Sequence, residues 1–270
     1  MQMEHETSRK AEQISSVSRR KLLAMSGACV AALGAMSFAG VTPAMAQDMS
    51  DGANNFYVSD RVTVQKVSFK TQYQTQVAGN LYIPKNLDRS RKYAAIIVGH
   101  PMGAVKEQSA NLYATKMAEQ GFVAMSIDLP FWGGSEGKSR NAVAPDFYAE
   151  AFSAGVDFLG TRPFVDRNRI GAIGVCGSGS FVISAAKIDP RMKVIATVSM
   201  YDMGSVARNA LRKSQTVDQR KQLIAQATEQ RYVEFAGGKT EYTGGTTHQL
   251  TADTDPIQRE FYDFYRTRRD

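Results

Sequence analysis

Cysteine and histidine are scarce in this sequence. It contains two cysteines, three histidines and one tryptophan in 270 residues. Cys29 lies in an N-terminal stretch that we expect to be removed, which leaves Cys176 alone and excludes an intrachain disulfide. The histidines and Cys176 are too far apart in sequence to give a metal-ligand spacing, so no metal site is predicted. A glycine-rich phosphate loop followed by lysine is also missing, and no cofactor is predicted.

The sequence also lacks a long basic run with interleaved aromatic residues. Its net charge is +7 at pH 7, and part of the excess comes from Arg266, Arg268 and Arg269 near the C-terminus. A modest excess of this kind is typical of a solvated surface. Nucleic acid is therefore not a predicted partner.

The first 46 residues have the pattern of an export signal. Arg19 and Arg20 precede a mildly apolar stretch, and Ala44-Met45-Ala46 is a small-x-small cleavage site. The arginine pair is typical of twin-arginine signals, with a Sec signal or a membrane anchor as alternatives. An anchor is disfavoured because Gly and Ser dilute the apolar stretch and a cleavage site ends it. We predict a twin-arginine signal over residues 1–46, recognition by the Tat export machinery, a periplasmic or exported location and no stable membrane anchor after cleavage.

Strand and helix patterns alternate after a polar linker predicted over residues 47–60. Two segments with period-two alternation, at 61–69 and 73–83, predict an antiparallel pair at a sheet edge, interrupted at Gly79-Asn80. Continuous apolar runs then predict buried parallel strands, with helical patterns between them. The runs lie at 92–100, 122–129, 170–175 and 192–200, and the helical patterns at 106–120 and 146–160.

This alternation predicts an α/β fold: a mostly parallel sheet with flanking helices and an antiparallel N-terminal edge. We assign the core to residues 61–203. Residues 204–270 carry a polar helical stretch at 206–232 and an aromatic-rich one at 256–266, and we interpret them as a helical cap over the strand ends. In such sheets ligands bind beyond the carboxyl ends of the strands.

One strand end carries a reactive side chain in a tight turn. Gly174-x-Cys176-x-Ser178 has the G-x-S-x-G spacing of a nucleophile elbow, with cysteine in the nucleophile position and serine in place of the second glycine. We expect the helix N-terminus to lower the pKa of the thiol, and the Gly177 N–H to lie where an oxyanion would form. The alternative is an inert, buried cysteine in a βα turn.

Together these features resemble the α/β-hydrolase fold, in particular the dienelactone-hydrolase-like branch and its exported relatives, some labelled xylan or acetyl esterases. Gly99-His100-Pro101-Met102-Gly103 is similar to the family's oxyanion loop, and dienelactone hydrolases also carry Gly-x-Cys at the elbow. The resemblance implies that Cys176 is the nucleophile and that the backbone N–H groups of Gly177 and Met102 form the oxyanion hole. It further implies attack on a small-molecule carboxylic ester or lactone, although a thioester or a peptide would suit the same elbow.

The chain departs from this family after the elbow. The family places an acid and then a histidine on later strand ends, whereas His248 is the only histidine after Cys176 and follows no recognisable strand. We therefore expect the chain to stop before its last two strands and its catalytic acid and base. A second interpretation uses Cys176 with His100 oriented by Asp128, although these two residues more simply shape their loops. A third is a non-catalytic binding protein.

Overall fold

The computed structural model describes residues 57–266 except 243 and 248. The predicted export signal, residues 1–46, lies outside this part of the chain, as do His248 and most of the predicted linker. Within it, no helix is both long enough and apolar enough to cross a membrane. The described strands form a six-stranded sheet in the order β1-β2-β4-β3-β5-β6. The strands are β1 Val62–Lys70, β2 Gln76–Pro84, β3 Tyr93–Gly99, β4 Val123–Ile127, β5 Val165–Val175 and β6 Met192–Val198.

The strand pairing confirms the predicted α/β class. β1 pairs antiparallel with β2, which pairs antiparallel with β4. The strands β4, β3, β5 and β6 run parallel to their neighbours. Gly79 does not interrupt β2, because its backbone pairs with Val67 on one side and Ile127 on the other.

Helices cover both faces of the central strands because consecutive strand residues face opposite sides. The helices are α1 Ser109–Glu119, α2 Pro145–Gly160, α3 Gly177–Ala186, α4 Met203–Asn209, α5 Val217–Phe235 and α6 Pro256–Arg266, with a short 3₁₀ turn at Leu211–Lys213. Ile97 and Met125 pack in one apolar cluster with α2 and α3, whereas Ile96 and Ala124 pack in the other with α1.

Two predicted helices have different bounds in the structure. The helix expected from residue 106 begins at Ser109, because residues 104–108 form turns. The single helical stretch expected over 206–232 is divided into α4 and α5. Asp202 caps α4, and Thr216 caps α5 through reciprocal hydrogen bonds with Gln219, so each helix has its own start signal.

The far edge of the sheet is less well covered than its centre. In β6 only Met192 is fully buried, and the side chains of Val194 and Ile195 are 62% and 36% exposed. Within the described residues, no side chain of α5 is buried. A helical cap over the strand ends therefore stays a prediction.

Candidate active site

The predicted strand, tight turn and helix meet at Cys176. β5 ends at Val175 and α3 begins at Gly177, so Cys176 is the single residue between them. Its backbone angles, φ 55° and ψ −118°, lie in a region that L-residues other than glycine rarely occupy. The end of β6 and the segment after it hold it there: the Cys176 N–H donates to the Val198 carbonyl at 2.8 Å, and the Cys176 carbonyl accepts from the Tyr201 N–H at 3.3 Å.

Small residues around Cys176 allow the strand and helix to approach closely, as the motif predicts. A Cβ on Gly174 would lie 2.5 Å from the Gly179 Cα, which is a clash between two backbones. A Cβ on Gly177 would lie 2.4 Å from Cγ of Met102, the residue that the resemblance assigns to the oxyanion loop. The helix start and that loop are therefore in direct contact.

The Cys176 side chain is partly buried beneath this contact and is a free thiol. The backbone N–H groups of Gly177 and Met102 lie near its sulfur, where they act as donors that favour the thiolate. The structure thus brings together the three residues that the sequence and the resemblance named. Two convergent N–H groups beside a nucleophile are the arrangement that stabilises an oxyanion on a bound carbonyl.

The expected lowering of the thiol pKa is wrong for this structure. Burial of the sulfur disfavours the thiolate and raises the pKa of Cys176 above its ordinary value of 9.0, although the two amide hydrogen bonds act in the opposite direction. Removal from water is the larger effect here. Cys176 therefore rests as a neutral thiol at neutral pH and needs a proton acceptor to become a nucleophile.

His100 is fully buried, and both of its ring nitrogens are bound to backbone groups. Nδ1 lies 2.7 Å from the Pro101 carbonyl oxygen, and Nε2 lies 3.0 Å from the Leu129 N–H. Because a carbonyl only accepts, Nδ1 carries the proton and Nε2 accepts. Burial also lowers the pKa of the imidazole. This geometry favours the loop-shaping interpretation of His100 over a role as the base for Cys176.

Asp128 is buried and bound on three sides. Its carboxylate accepts from the Lys106 N–H and the Gly134 N–H, both at 2.8 Å, and its Oδ2 lies 2.7 Å from the Lys106 Nζ. Burial alone would lower the pKa of Lys106, but Asp128 and Glu107 outweigh it and raise that pKa. Asp128 thus holds the loop after β4 to the loop after β3. This agrees with its interpretation as a loop-capping residue.

Sequence reasoning missed two residues of this region. Lys106 was assigned to a helix, whereas it forms the ion pair with Asp128. Ser178 enters the sequence analysis as the serine in place of the motif's second glycine, whereas in the structure its hydroxyl donates to the His100 carbonyl. His100 is the one histidine in the described part of the chain, and that part holds no cluster of three or more His, Cys, Asp or Glu residues suited to a metal ion.

Comparison with known protein families identifies the family to which this chain is similar. The model of the dienelactone hydrolase family matches residues 77–252, more than half of the chain and the whole of the elbow and oxyanion-loop region. The chain belongs to the dienelactone hydrolase family. The resemblance noted from Gly-x-Cys and the Gly99–Gly103 loop is therefore confirmed, together with the α/β-hydrolase fold.

Individual relatives agree with this assignment. Protein PA2218 of Pseudomonas aeruginosa is 39% identical over 214 residues, which cover 79% of this chain and 57% of that protein. Its crystal structure superposes with a TM-score of 0.74 at 36% identity, over 84% of this chain and 68% of that one. Thiohydrolase aneE of Aspergillus aculeatus is 30% identical over 140 residues, 52% of this chain and 42% of that protein.

A structural neighbour without close sequence similarity supports the fold alone. The α/β hydrolase GrgF from Penicillium sp. sh18 has a TM-score of 0.57 at 20% identity, over 66% of this chain and 57% of that one. The chain spans 57% of the length of PA2218 and 48% of the length of YcjY from Escherichia coli K12. The predicted loss of two C-terminal strands is not confirmed by these matches.

Proposed function

We propose that Cys176 is the nucleophile of an acyl-transfer hydrolase acting on an ester-type bond, either a carboxylic ester or a lactone. The observation that carries this proposal is the strained backbone of Cys176, which holds its sulfur against the N–H groups of Gly177 and Met102. Strain of this kind is retained at functional sites when the surrounding structure enforces it. Membership of a hydrolase family supports the same reading.

The proposed reaction has two steps. A base removes the thiol proton, and the Cys176 sulfur forms a bond to the substrate carbonyl carbon while the carbonyl oxygen becomes an oxyanion. That oxyanion accepts from the Gly177 and Met102 amides. Breaking of the ester C–O bond then leaves a thioester on Cys176 and an alkoxide that takes up the proton; the alcohol departs from a simple ester and stays as a hydroxyl on the acyl group of a lactone. Water attacks this thioester, releases the acid and restores the thiol.

Within the described residues, the groups that act on the Cys176 thiol are two backbone N–H groups, and an N–H cannot accept its proton. The two nitrogens of His100 are already engaged. Cys176, Gly177 and Met102 therefore supply the nucleophile and the oxyanion donors of the proposed reaction. Acylation by a reactive aryl ester demands less of a base than turnover does, so it is the step to measure.

The test is acylation of the purified chain by p-nitrophenyl acetate, followed by intact mass and peptide mapping. We expect one acetyl group on Cys176 and release of an equivalent amount of nitrophenolate. Cys176→Ala should abolish both, whereas Ser180→Ala, which removes a hydroxyl from the same helix, should retain both. Continued release after the first equivalent indicates full turnover. A folded wild-type protein that takes no acetyl group on Cys176 would overturn the proposal and favour the binding-protein alternative.

We also propose that residues 1–46 direct export through the twin-arginine pathway. The support is the sequence pattern, with Arg19-Arg20 before an apolar stretch and a small-x-small site at residues 44–46. The full chain, expressed in a Gram-negative host, should be processed and recovered in the periplasm. The Arg19→Lys and Arg20→Lys double variant should stay unprocessed inside the cell. Unchanged processing of the double variant would favour a Sec signal instead.

A further inference from the structure

The first turn of α3 contains a buried hydroxyl that the proposed mechanism does not use. Ser178 has no exposed surface, and its side chain donates a hydrogen bond to the backbone carbonyl of His100. In the elbow spacing this position is ordinarily glycine, which has no side chain to donate. A serine here therefore adds a bond between the elbow helix and the loop after β3 that the motif itself does not supply.

The space for this side chain exists because its neighbour lacks one. Gly99, the last residue of β3, lies directly beneath Ser178. A Cβ on Gly99 would come within 2.7 Å of the Ser178 Oγ and 2.9 Å of its Cβ. The glycine on the strand thus makes room for the serine side chain on the helix. This places the hydroxyl against the first carbonyl of the oxyanion loop.

The His100 carbonyl that Ser178 binds lies two residues before Met102, whose N–H is part of the proposed oxyanion hole. His100 begins the loop, and two residues later the Met102 side chain packs against Gly177, while the Met102 N–H is one of the two amides that favour the Cys176 thiolate. The His100 ring holds the other side of the same loop through Pro101 and Leu129. The loop is therefore fixed by an imidazole on one side and by the Ser178 hydroxyl on the elbow side.

We infer that Ser178 is a positioning residue that keeps the Met102 N–H directed at the Cys176 sulfur and, during reaction, at the substrate oxyanion. The part of this inference that concerns the substrate oxyanion rests on the proposed function. The Met102 N–H already acts on the thiol in the resting protein, however, so the inference is measurable without turnover. Oxyanion donors act only within a narrow range of distances, and a loop displacement of a few tenths of an ångström weakens them.

The experiment compares Ser178→Ala and Ser178→Gly with wild type and with Ser180→Ala, the matched loss of a hydroxyl two residues further along α3. The readout is the rate of Cys176 alkylation by iodoacetamide across pH. Burial and the two amides are the causes that act on the pKa of this thiol, and both amides lower it. Weakening the interaction between the Met102 N–H and the sulfur should therefore raise the pKa of the thiol, which moves the midpoint of the alkylation rate to higher pH. We expect the rate near neutral pH to fall by about threefold or more in both Ser178 variants, as for loss of a hydrogen bond to a charged group.

A purely structural role for Ser178 predicts a different result. The melting temperature would fall while the midpoint stayed at the wild-type pH, and that outcome would overturn the inference. If Ser178→Ala does not fold, Ser178→Gly keeps the motif's usual residue at this position and gives the same comparison. In wild type, the amide proton resonances of Met102 and Gly177 should shift together as Cys176 ionises. A Met102 resonance that does not respond also overturns the inference.

Failure of the inference is distinguishable from failure of the proposed function. If p-nitrophenyl acetate does not acylate Cys176 but the Ser178 variants still shift the alkylation midpoint, the hydrolase proposal fails and the positioning role stands. If acylation occurs and the midpoint does not move, the positioning role alone fails. Where turnover is measurable, loss of positioning should lower kcat with little change in KM, because the oxyanion forms only in the transition state.

Discussion

The Nζ atom of Lys106 lies 2.7 Å from Oδ2 of Asp128, and the carboxylate of Asp128 is completely buried. The same carboxylate also accepts from the backbone N–H of Lys106. One acidic side chain thereby binds both the charge and the backbone of one loop residue. Since Lys106 follows β3 and Asp128 follows β4, this pair joins the two loops at the carboxyl ends of neighbouring parallel strands.

Replacement of Asp128 should therefore destabilise the fold strongly. Asp128→Asn removes the buried partner of the Lys106 ammonium and leaves it only the partly exposed Glu107 carboxylate, and breaking a buried pair on one side costs about 3–5 kcal/mol. Urea unfolding at neutral pH measures the loss, with the exposed Asp60→Asn as the matched control. A loss below about 1 kcal/mol would mean that water or Glu107 replaces the lost partner and that Asp128 does not join the two loops strongly.

Glu119 provides a prediction about pH. Its side chain is 3% exposed, and hydrogen bonds from Ser59 and Tyr57, together with Lys116 and Arg61, lower its pKa from 4.5 to about 2. Because the folded pKa lies below the ordinary one, this stabilisation is present above about pH 4.5 and is lost as the pH falls towards about 2. Glu119→Gln should therefore destabilise the protein near neutral pH and much less under acid conditions.

The measurement for Glu119 is the free energy of unfolding of wild type and Glu119→Gln at several pH values between neutral and about 2.5. The difference between the two proteins should shrink steadily with acidification. Glu229→Gln, on the exposed face of α5, controls for the loss of one carboxylate. A difference that stays constant over this range would show that Glu119 contributes by packing and not by its charge.

The elbow glycines give a steric prediction. A Cβ on Gly174 would lie 2.5 Å from both the Gly179 Cα and the Ser178 carbonyl oxygen, so Gly174→Ala must displace backbone. We expect it to cost about 2–4 kcal/mol of unfolding free energy and to slow Cys176 acylation. Gly160→Ala is the control, since a Cβ there meets its nearest atom at 3.6 Å. Because Gly160 lies at the end of α2, Gly160→Ala should leave the free energy of unfolding unchanged or raise it by about 0.5–1 kcal/mol.

Much of the fold was predictable because its signals are local. Continuous apolar runs marked the central strands, and the spacing Gly174-x-Cys176-x-Ser178 located the turn between β5 and α3. The less predictable features depend on contacts between distant segments. Lys106 is helical by local pattern, but its partner Asp128 is 22 residues away. Ser178 contacts a carbonyl 78 residues away, and no periodicity could indicate that.

The thiol pKa failed to follow prediction for a related reason. The helix start and the neighbouring amides were visible in the motif, and both favour the thiolate. The extent to which the sulfur is removed from water depends on packing between segments far apart in sequence. In the structure that burial is the larger effect on Cys176. Local electrostatics was predictable, whereas desolvation was not.

The exposed edge of the sheet gives the last prediction. Within the described sheet, β6 pairs with β5 on one side only, and Val194 on β6 is 62% exposed. An apolar strand with an unpaired edge is a template for association with another chain, and a lysine on such an edge opposes it. We therefore expect Val194→Lys to reduce concentration-dependent association of the 270-residue chain. The lysine keeps the γ-carbon that packs over Gly171, so the strand itself should remain in place.

Sedimentation velocity over a range of protein concentrations measures this association. Val217→Lys is the matched control, because Val217 is 56% exposed but lies on helix α5 instead of a sheet edge. A general effect of added positive charge would reduce association equally in both variants, and that result would contradict an origin in the β6 edge. A reduction confined to Val194→Lys would locate the association at the edge strand, where unpaired backbone groups and exposed apolar side chains coincide.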